Sequence, residues 1–286
     1  MKVEAHAKIN LALDITGKRP DGYHLVRMVM QSLALHDTIE IEKAANDGRQ
    51  IVLHSDSELI TDDENNLAWK AAKLLIDEFA ITDTIVIRIK KCIPIAAGLA
   101  GGSSDAAAVL KGVNKLFSLG LSEKELMERG VRLGADVPYC ICGGTMLSEG
   151  IGEILTRTEG KMPSCGVLLV KPKEGVSTKK VYQLFDSLEN EIHADVDGVL
   201  EGLRKEDLAY ISDRMSNVLE KVTIPMLPVI DAIKKDMIKA GAIGSLMSGS
   251  GPTVFGFFKE KDSLEKTYSL MKENYADAEV IVSCIE

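Results

Sequence analysis

A glycine-rich loop bounded on both sides by strong secondary-structure signals constrains this chain more than any other stretch. Residues 93–108 read Ile-Pro-Ile-Ala-Ala-Gly-Leu-Ala-Gly-Gly-Ser-Ser-Asp-Ala-Ala-Ala. Upstream, the β-branched run Ile85-Val86-Ile87-Arg88-Ile89 predicts a strand, and the alanines after Asp105 predict a helix over 106–117, stopped by Gly120. A loop with Gly98, Gly101 and Gly102 that ends at a helix N-terminus lets backbone N–H groups approach a ligand closely. The unpaired N–H groups of the first turn then favour an anion. Ser103, Ser104 and Asp105 are expected to supply capping oxygens, and the serines could also face a phosphate or its metal. Taken alone, the stretch fits a phosphate cradle and a plain glycine turn before a capped helix equally well.

With 286 residues the chain has room for two domains. Its 45% hydrophobic and 27% charged residues are the balance of a globular protein, and no apolar run approaches the ~20 residues of a membrane span. The start, Met1-Lys2-Val3-Glu4-Ala5-His6, has no apolar signal-peptide core, which predicts a cytoplasmic protein. Cys92, Cys140, Cys142, Cys165 and Cys284 are odd in number and scattered. Cys140-Ile141-Cys142 lacks the second spaced pair of a zinc site, so buried free thiols are expected. A net charge of −9 with no long Lys/Arg block argues against a nucleic-acid surface, so cations that meet a polyanionic ligand must be gathered locally.

Along the chain, Ile9, Leu11, Leu13 and Ile15 alternate, which predicts a half-buried strand with Lys8, Asn10, Ala12 and Asp14 on its polar face. Thr16-Gly17-Lys18-Arg19-Pro20-Asp21-Gly22-Tyr23-His24 is a turn with two rings at its exit. Strands are expected over 25–33, 38–42 and 51–53, with Asn46-Asp47-Gly48 as a turn. Asn65 and Asn66 precede Leu67, Ala71, Leu74 and Leu75 at helical spacing, and Ser122 with Glu125 is a capping-box signature for a helix over 122–133. In Gly134-Ala135-Asp136-Val137-Pro138 the aspartate reads, in isolation, as the N-cap of a short helix. Gly143-Gly144 and Gly150-Ile151-Gly152 punctuate a hairpin.

A composition shift at Gly160-Lys161-Met162-Pro163 suggests domains of 1–160 and 161–286. The second domain opens with a strand over 167–170 and continues with helices over 178–188, 196–203, 205–215 and 226–240. Strands over 245–247 and 253–258, a helix over 263–274 and a strand over 279–284 complete it. With the helices between its first two strands counted as one crossover, the order is β-α-β-β-α-β, the split βαβ arrangement.

Lys8-Ile9-Asn10-Leu11, residues 94–107 and Leu246-Met247-Ser248-Gly249-Ser250-Gly251-Pro252-Thr253 resemble, in that order and spacing, the three motifs of the GHMP kinases. Arg19-Pro20-Asp21-Gly22-Tyr23-His24, Gly134-Ala135-Asp136-Val137-Pro138, Gly175-Val176-Ser177-Thr178 and Val181-Tyr182 narrow the resemblance to the branch acting on 4-diphosphocytidyl-2-C-methylerythritol. The resemblance implies an α/β (α+β) chain of two domains. The N-terminal one would be ATP-binding and ribosomal-protein-S5-domain-2-like, the C-terminal one a ferredoxin-like split βαβ unit. It further implies transfer of the ATP γ-phosphate to the substrate 2-hydroxyl, with Mg²⁺ of unassigned ligands. Small-molecule partners, no nucleic acid, no membrane, and a monomer or weak homodimer go with it.

On that resemblance Pro94, Ala96, Ala97, Gly98, Leu99, Ala100, Gly101, Gly102, Ser103 and Ser104 hold ATP, although no Walker Gly-Lys-Ser/Thr ends the loop. Asp136 would be the base and Lys8 would balance its charge and stabilise the developing alkoxide or the transferring phosphoryl group. Asn10, Tyr23, His24, Asp136 and Tyr182 would bind the acceptor, the rings flanking its base. Ser248, Gly249, Ser250 and Gly251 would form the loop that closes over the phosphates. Ala100 stands where the common motif has glycine, which leaves open whether that position needs φ > 0.

Other readings are a kinase of the same superfamily for homoserine or a mevalonate-type alcohol, and a non-catalytic nucleotide-binding protein. Tyr23, His24 and Tyr182 argue against the first, since those alcohols offer no base to stack on. A dinucleotide site needs an acidic residue at the end of the next strand, whereas Glu123 and Glu125 fall in a capped helix. A silent sensor would be expected to lack Lys8 or Asp136, and both are present.

Overall fold

The computed structural model describes residues 1–45, 48–188 and 193–286, and they form two compact units built from interleaved stretches of chain. The first comprises Met1–Ala7, Leu35–Ile95 and Ala100–Gly143. Two long strands, β1 (Lys2–Lys18) and β2 (His24–Ala44), each lend one end to it. Then come β3 (Ile51–Ser55), α1 (Leu67–Phe79), β4 (Thr84–Lys90), α2 (Gly101–Leu116), α3 (Glu123–Gly130) and α4 (Val137–Cys142). The end of β2 pairs antiparallel with β4 from Thr38↔Lys90 to Ala44↔Thr84, and β3 pairs parallel with β4 from Ile51↔Ile85 to Ser55↔Ile89.

Side chains such as Ile41 and Ile87 share one core with Leu75 of α1 and Leu110 of α2. Each such burial stabilises by about 1.5–3 kcal/mol. The small residues of α2 permit its close approach to the sheet, for a Cβ on Gly112 would lie 2.3 Å from Ile41 Cδ1. Local signals act as expected at two helix starts. Asn66 accepts from Ala68 N, and Ser122 with Glu125 forms a complete capping box.

The second unit comprises Lys8–Ala34, Ala96–Leu99 and Gly144–Glu286. A hairpin of β5 (Thr145–Glu149) and β6 (Ile154–Arg157) joins β2 through the pair Met28↔Ser148 and its neighbours. Next are β7 (Gly166–Lys171), α5 (Thr178–Phe185), α6 (Val196–Arg204), α7 (Leu208–Arg214), β8 (Ser216–Asn217), α8 (Glu220–Met226) and α9 (Val229–Lys239). The last elements are β9 (Gly244–Met247), β10 (Val254–Phe258), α10 (Lys261–Asn274) and β11 (Glu279–Cys284). The sheet order β11-β7-β10-β9, antiparallel throughout, is the split βαβ arrangement read from the sequence. No described helix is long and apolar enough to cross a membrane.

Several local expectations are corrected. Residues 9–15 are not half-buried, because Lys8, Asn10, Ala12 and Asp14 are buried as fully as the apolar face. The strands expected over 25–33 and 38–42 are one continuous β2. The second helix starts at Gly101, five residues before the alanine run. The helix expected over 226–240 is α9, which starts only at Val229 after Pro228, and the short α8 before it, Glu220–Met226, is unexpected. Buried thiols are expected, but Cys92 and Cys284 are exposed, Cys140 and Cys142 half-buried, and Cys165 alone is buried, its pKa pushed up to about 12 by that burial. The Asn46-Asp47 part of the expected turn lies outside the described residues.

Candidate active site

In the second unit three distant motifs meet around Gly98. Gly98 has φ +74°, and a Cβ there would lie 2.3 Å from Ser248 O and 3.1 Å from Gly251 O, so only glycine permits this approach. Ser248 Oγ donates to Gly98 O at 2.9 Å, and Lys8 N donates to Leu99 O at 3.1 Å. Gly249 has φ +57°, and a Cβ on it would stand 3.4 Å from Lys8 Nζ. The Lys8 ammonium is thus beside the 248–251 turn. It is 4% exposed and donates to Asn10 Oδ1 at 2.8 Å. That neutral amide, whose Nδ2 points to Met28 Sδ at 3.3 Å, is its only partner among the described residues. A buried cation with no carboxylate against it is costly, and an anionic ligand relieves the cost.

Residues outside the turn hold it, and two of them, Asn217 and Thr223, carry no sequence signal. Asn217 Nδ2 donates to Met247 O at 2.9 Å and Gly249 O at 2.7 Å, Thr223 Oγ1 donates to Ser250 O at 3.2 Å, and the Thr178 and Ser250 hydroxyls are 2.8 Å apart. Asn217 lies in a two-residue strand, and nothing in its flanking residues marks it.

In the first unit, the backbone of Ala100 takes the N-cap position of α2 with φ 60° and ψ 26°, and no side chain caps the helix. Position 100 therefore does take the left-handed backbone that the motif glycine suits. The expected capping by Ser103, Ser104 and Asp105 is not made. Ser104 Oγ donates to His6 O, and it lies 3.3 Å from Cys140 Sγ. Asp105 Oδ2 takes a bond from Lys91 Nζ at 2.7 Å, and Lys91 also reaches Asp37 Oδ2 at 2.5 Å. Asp37 Oδ1 accepts from Cys92 N and Ile93 N at 2.5 and 2.8 Å, so this triad anchors the entry to the glycine loop. Burial pushes the Asp105 carboxyl up to about 7 against the pull of Lys91. Burial also lowers the Lys91 pKa, but Asp105 and Asp37 outweigh it and hold the ammonium above its ordinary range.

Asp136 occupies the backbone N-cap position of α4 at φ −82°, yet its side chain makes no cap bond and has no partner among the described residues. The half-buried carboxylate is therefore not consumed by the helix. Ser103 Oγ lies 3.8 Å from where a Cβ on Gly134 would stand.

At the other end of the β1–β2 turn, Gly22 at φ +92° and the bond from Tyr23 N to Asp21 Oδ1 at 3.2 Å set the backbone that delivers His24. The rings of His24 and Tyr182 are 4.9 Å apart and tilted by 42°. Tyr23 is not part of that pair. It is 58% exposed and its ring meets no other ring among the described residues. Sequence reasoning missed Asp186, which lies 2.6 Å from His24 Nε2 and 2.5 Å from Lys18 Nζ. Its one available signal was its place four residues after Tyr182 on the same helix face. A groove lined by Leu74, Glu78 and Arg129 contains none of these residues.

Residues 66–144 match the family model of the GHMP kinases N terminal domain, and residues 199–277 that of the GHMP kinases C terminal. The 4-diphosphocytidyl-2-C-methyl-D-erythritol kinase of Clostridium botulinum is 48% identical over 277 residues, 97% of this chain and 98% of its own. Its namesake from Lachnospira eligens is 49% identical over 264 residues, 92% of this chain and 91% of its own. A crystal structure of 4-(cytidine 5'-diphospho)-2C-methyl-D-erythritol kinase matches with a TM-score of 0.82 at 28% identity, with both chains covered in full. A homoserine kinase from Cytophaga hutchinsonii shares the fold at a TM-score of 0.77 and 20% identity, over 100% of this chain and 94% of its own.

Proposed function

The chain belongs to the GHMP kinases, and we propose that it phosphorylates the 2-hydroxyl of 4-diphosphocytidyl-2-C-methyl-D-erythritol with ATP, in the non-mevalonate route to isoprenoid precursors. Relatives of that name at nearly half identity over nearly the whole length support the choice of acceptor. One structural observation carries the phosphate chemistry: a buried Lys8 ammonium with only a neutral partner, beside a turn that packs on Gly98.

In the reaction the acceptor oxygen forms a bond to the γ-phosphorus while the bond from that phosphorus to the β–γ bridging oxygen breaks, releasing ADP. Asp136 takes the hydroxyl proton. Lys8 stabilises the charge on the transferring group, the principal task a protein has in phosphoryl transfer. The backbone of residues 94–104 holds the nucleotide phosphates, with 248–251 closing over them. Asn10, Tyr23, His24 and Tyr182 take the acceptor. We assign residues 1–160 to an ATP-binding domain that also lends Asn10, Tyr23 and His24 to the acceptor, and residues 161–286 to a substrate-binding domain that carries Tyr182 and the 248–251 loop.

Mg²⁺ is the proposed counter-ion of the ATP phosphates. No group of three His, Cys, Asp or Glu side chains that could hold a metal occurs among the described residues. We propose that the ion arrives on the nucleotide, keeps several waters and needs few protein oxygens. The enzyme is placed in the cytoplasm as a monomer or weak homodimer.

ADP release by the purified protein, measured with the cytidine compound, homoserine and mevalonate in parallel, tests the reading. Turnover is expected with the first alone. Turnover with either of the others and none with the first would replace the acceptor with that alcohol.

A further inference from the structure

We infer that Asp186 is a positioning residue for recognition of the cytidine end of the acceptor, holding the ring of His24 against Tyr182. The inference rests on the acceptor proposed above. Asp186 stands at the C-cap of α5, and its N–H donates to Tyr182 O at 3.2 Å, so the two side chains leave the same helix one turn apart. Its carboxylate joins three elements. Oδ2 takes the ammonium of Lys18, the last residue of β1, at 2.5 Å, and Oδ1 lies 2.6 Å from Nε2 of His24, the first residue of β2. Both stems of the β1–β2 turn are thereby tied to the helix that carries Tyr182.

The pairing also decides what His24 can offer. A carboxylate only accepts hydrogen bonds, so Nε2 must carry the proton against it, and Nδ1 is the one ring nitrogen left for a ligand. Nδ1 has no partner among the described residues, and the His24 side chain is only 10% exposed. Lys18 balances the carboxylate on its other oxygen. Lys18 and His24 hold Asp186 below the usual carboxylate range, so it is charged at neutral pH. A clasp made only to stabilise the fold would be placed poorly here, since Asp186 is 32% exposed and exposed ion pairs add little to stability.

The test compares the full-length protein with Asp186→Ala and Asp186→Asn. Asparagine keeps the shape but can donate as well as accept, so it no longer dictates which nitrogen of His24 is protonated. CDP binding is measured by calorimetry, KM for each substrate by ADP release, and the His24 ring by ¹⁵N NMR. For both variants the Kd for CDP and the KM for the acceptor are expected to rise about tenfold or more, the weight of one charge-assisted hydrogen bond. KM for ATP and the unfolding midpoint stay put, and the ¹⁵N shift of His24 Nε2 moves in Asp186→Asn as its carboxylate partner is lost. Unchanged CDP binding, or equal losses for ATP and acceptor with a lowered midpoint, would overturn the inference. Wild-type protein that binds ATP but not CDP is a separate pattern, which overturns the acceptor assignment and this inference with it.

Discussion

The Lys91 ammonium sits 2.7 Å from Asp105 Oδ2 in a buried contact, at the foot of the glycine loop. Since Asp37 shares the same ammonium, one cation faces two carboxylates, and Asp105 Oδ1 is left with no partner. Lys91→Met would leave both acids buried without their cation and is expected to cost about 3–5 kcal/mol in urea unfolding. Asp105→Asn acts in the other direction. The folded protein raises this carboxyl from 3.8 to about 7, so between those values it binds more protons folded than unfolded, and the group's contribution falls as pH rises. The variant should therefore gain on wild type between pH 4 and pH 7, as read by unfolding free energies across that window. A difference that does not change with pH would show that Asp105 ionises normally.

Ala100 and Gly98 share a left-handed backbone but not the same surroundings, and opposite effects are expected from exchanging their side chains. Ala100→Gly relieves a strained φ and should stabilise by about 1 kcal/mol. Gly98→Ala forces a methyl into the Ser248 carbonyl and should both lower the melting temperature and raise KM for ATP. Thermal melts with ATP kinetics on the two variants check this.

Asp136→Asn should fold and bind ATP as wild type, because its side chain makes no structural bond to lose. Turnover should drop on the order of 10²- to 10⁴-fold, the usual weight of a positioned base. Turnover at the wild-type rate would remove Asp136 from the mechanism.

Tyr182→Ala removes the ring that His24 meets and should weaken acceptor binding far more than ATP binding. Calorimetry with CDP and with an ATP analogue separates the two. Equal losses would mean the ring serves the fold.

The elements legible in the sequence are those whose causes are local. Asn66 and Ser122 were readable because a capping side chain and its N–H are only two or three residues apart. The strands of the β11-β7-β10-β9 sheet were readable because Val167-Leu168-Leu169-Val170 and Phe255-Gly256-Phe257-Phe258 are short apolar runs between breakers. The start of α2 was misplaced for the same reason. Gly101 and Gly102 read as loop by propensity, and the packing of Gly101 against Ile93, which admits them to the helix, is tertiary.

The sequence by itself determined the family of motifs, their order, and the candidates Lys8, Gly98 and Asp136, since each depends on a few neighbouring residue types. Only the tertiary structure decided which polar groups lie buried and with whom. It gave Lys8 a neutral partner in place of a carboxylate, put Asn217 under the 248–251 turn, and brought Asp37 to Lys91 and Asp186 to His24. Those partners are separated by 32, 54 and 162 positions for the last three pairs, too far for any spacing rule to relate them. Burial sets the cost of each unpaired charge, and burial is a property of the folded chain, which is why these pairings appear only there.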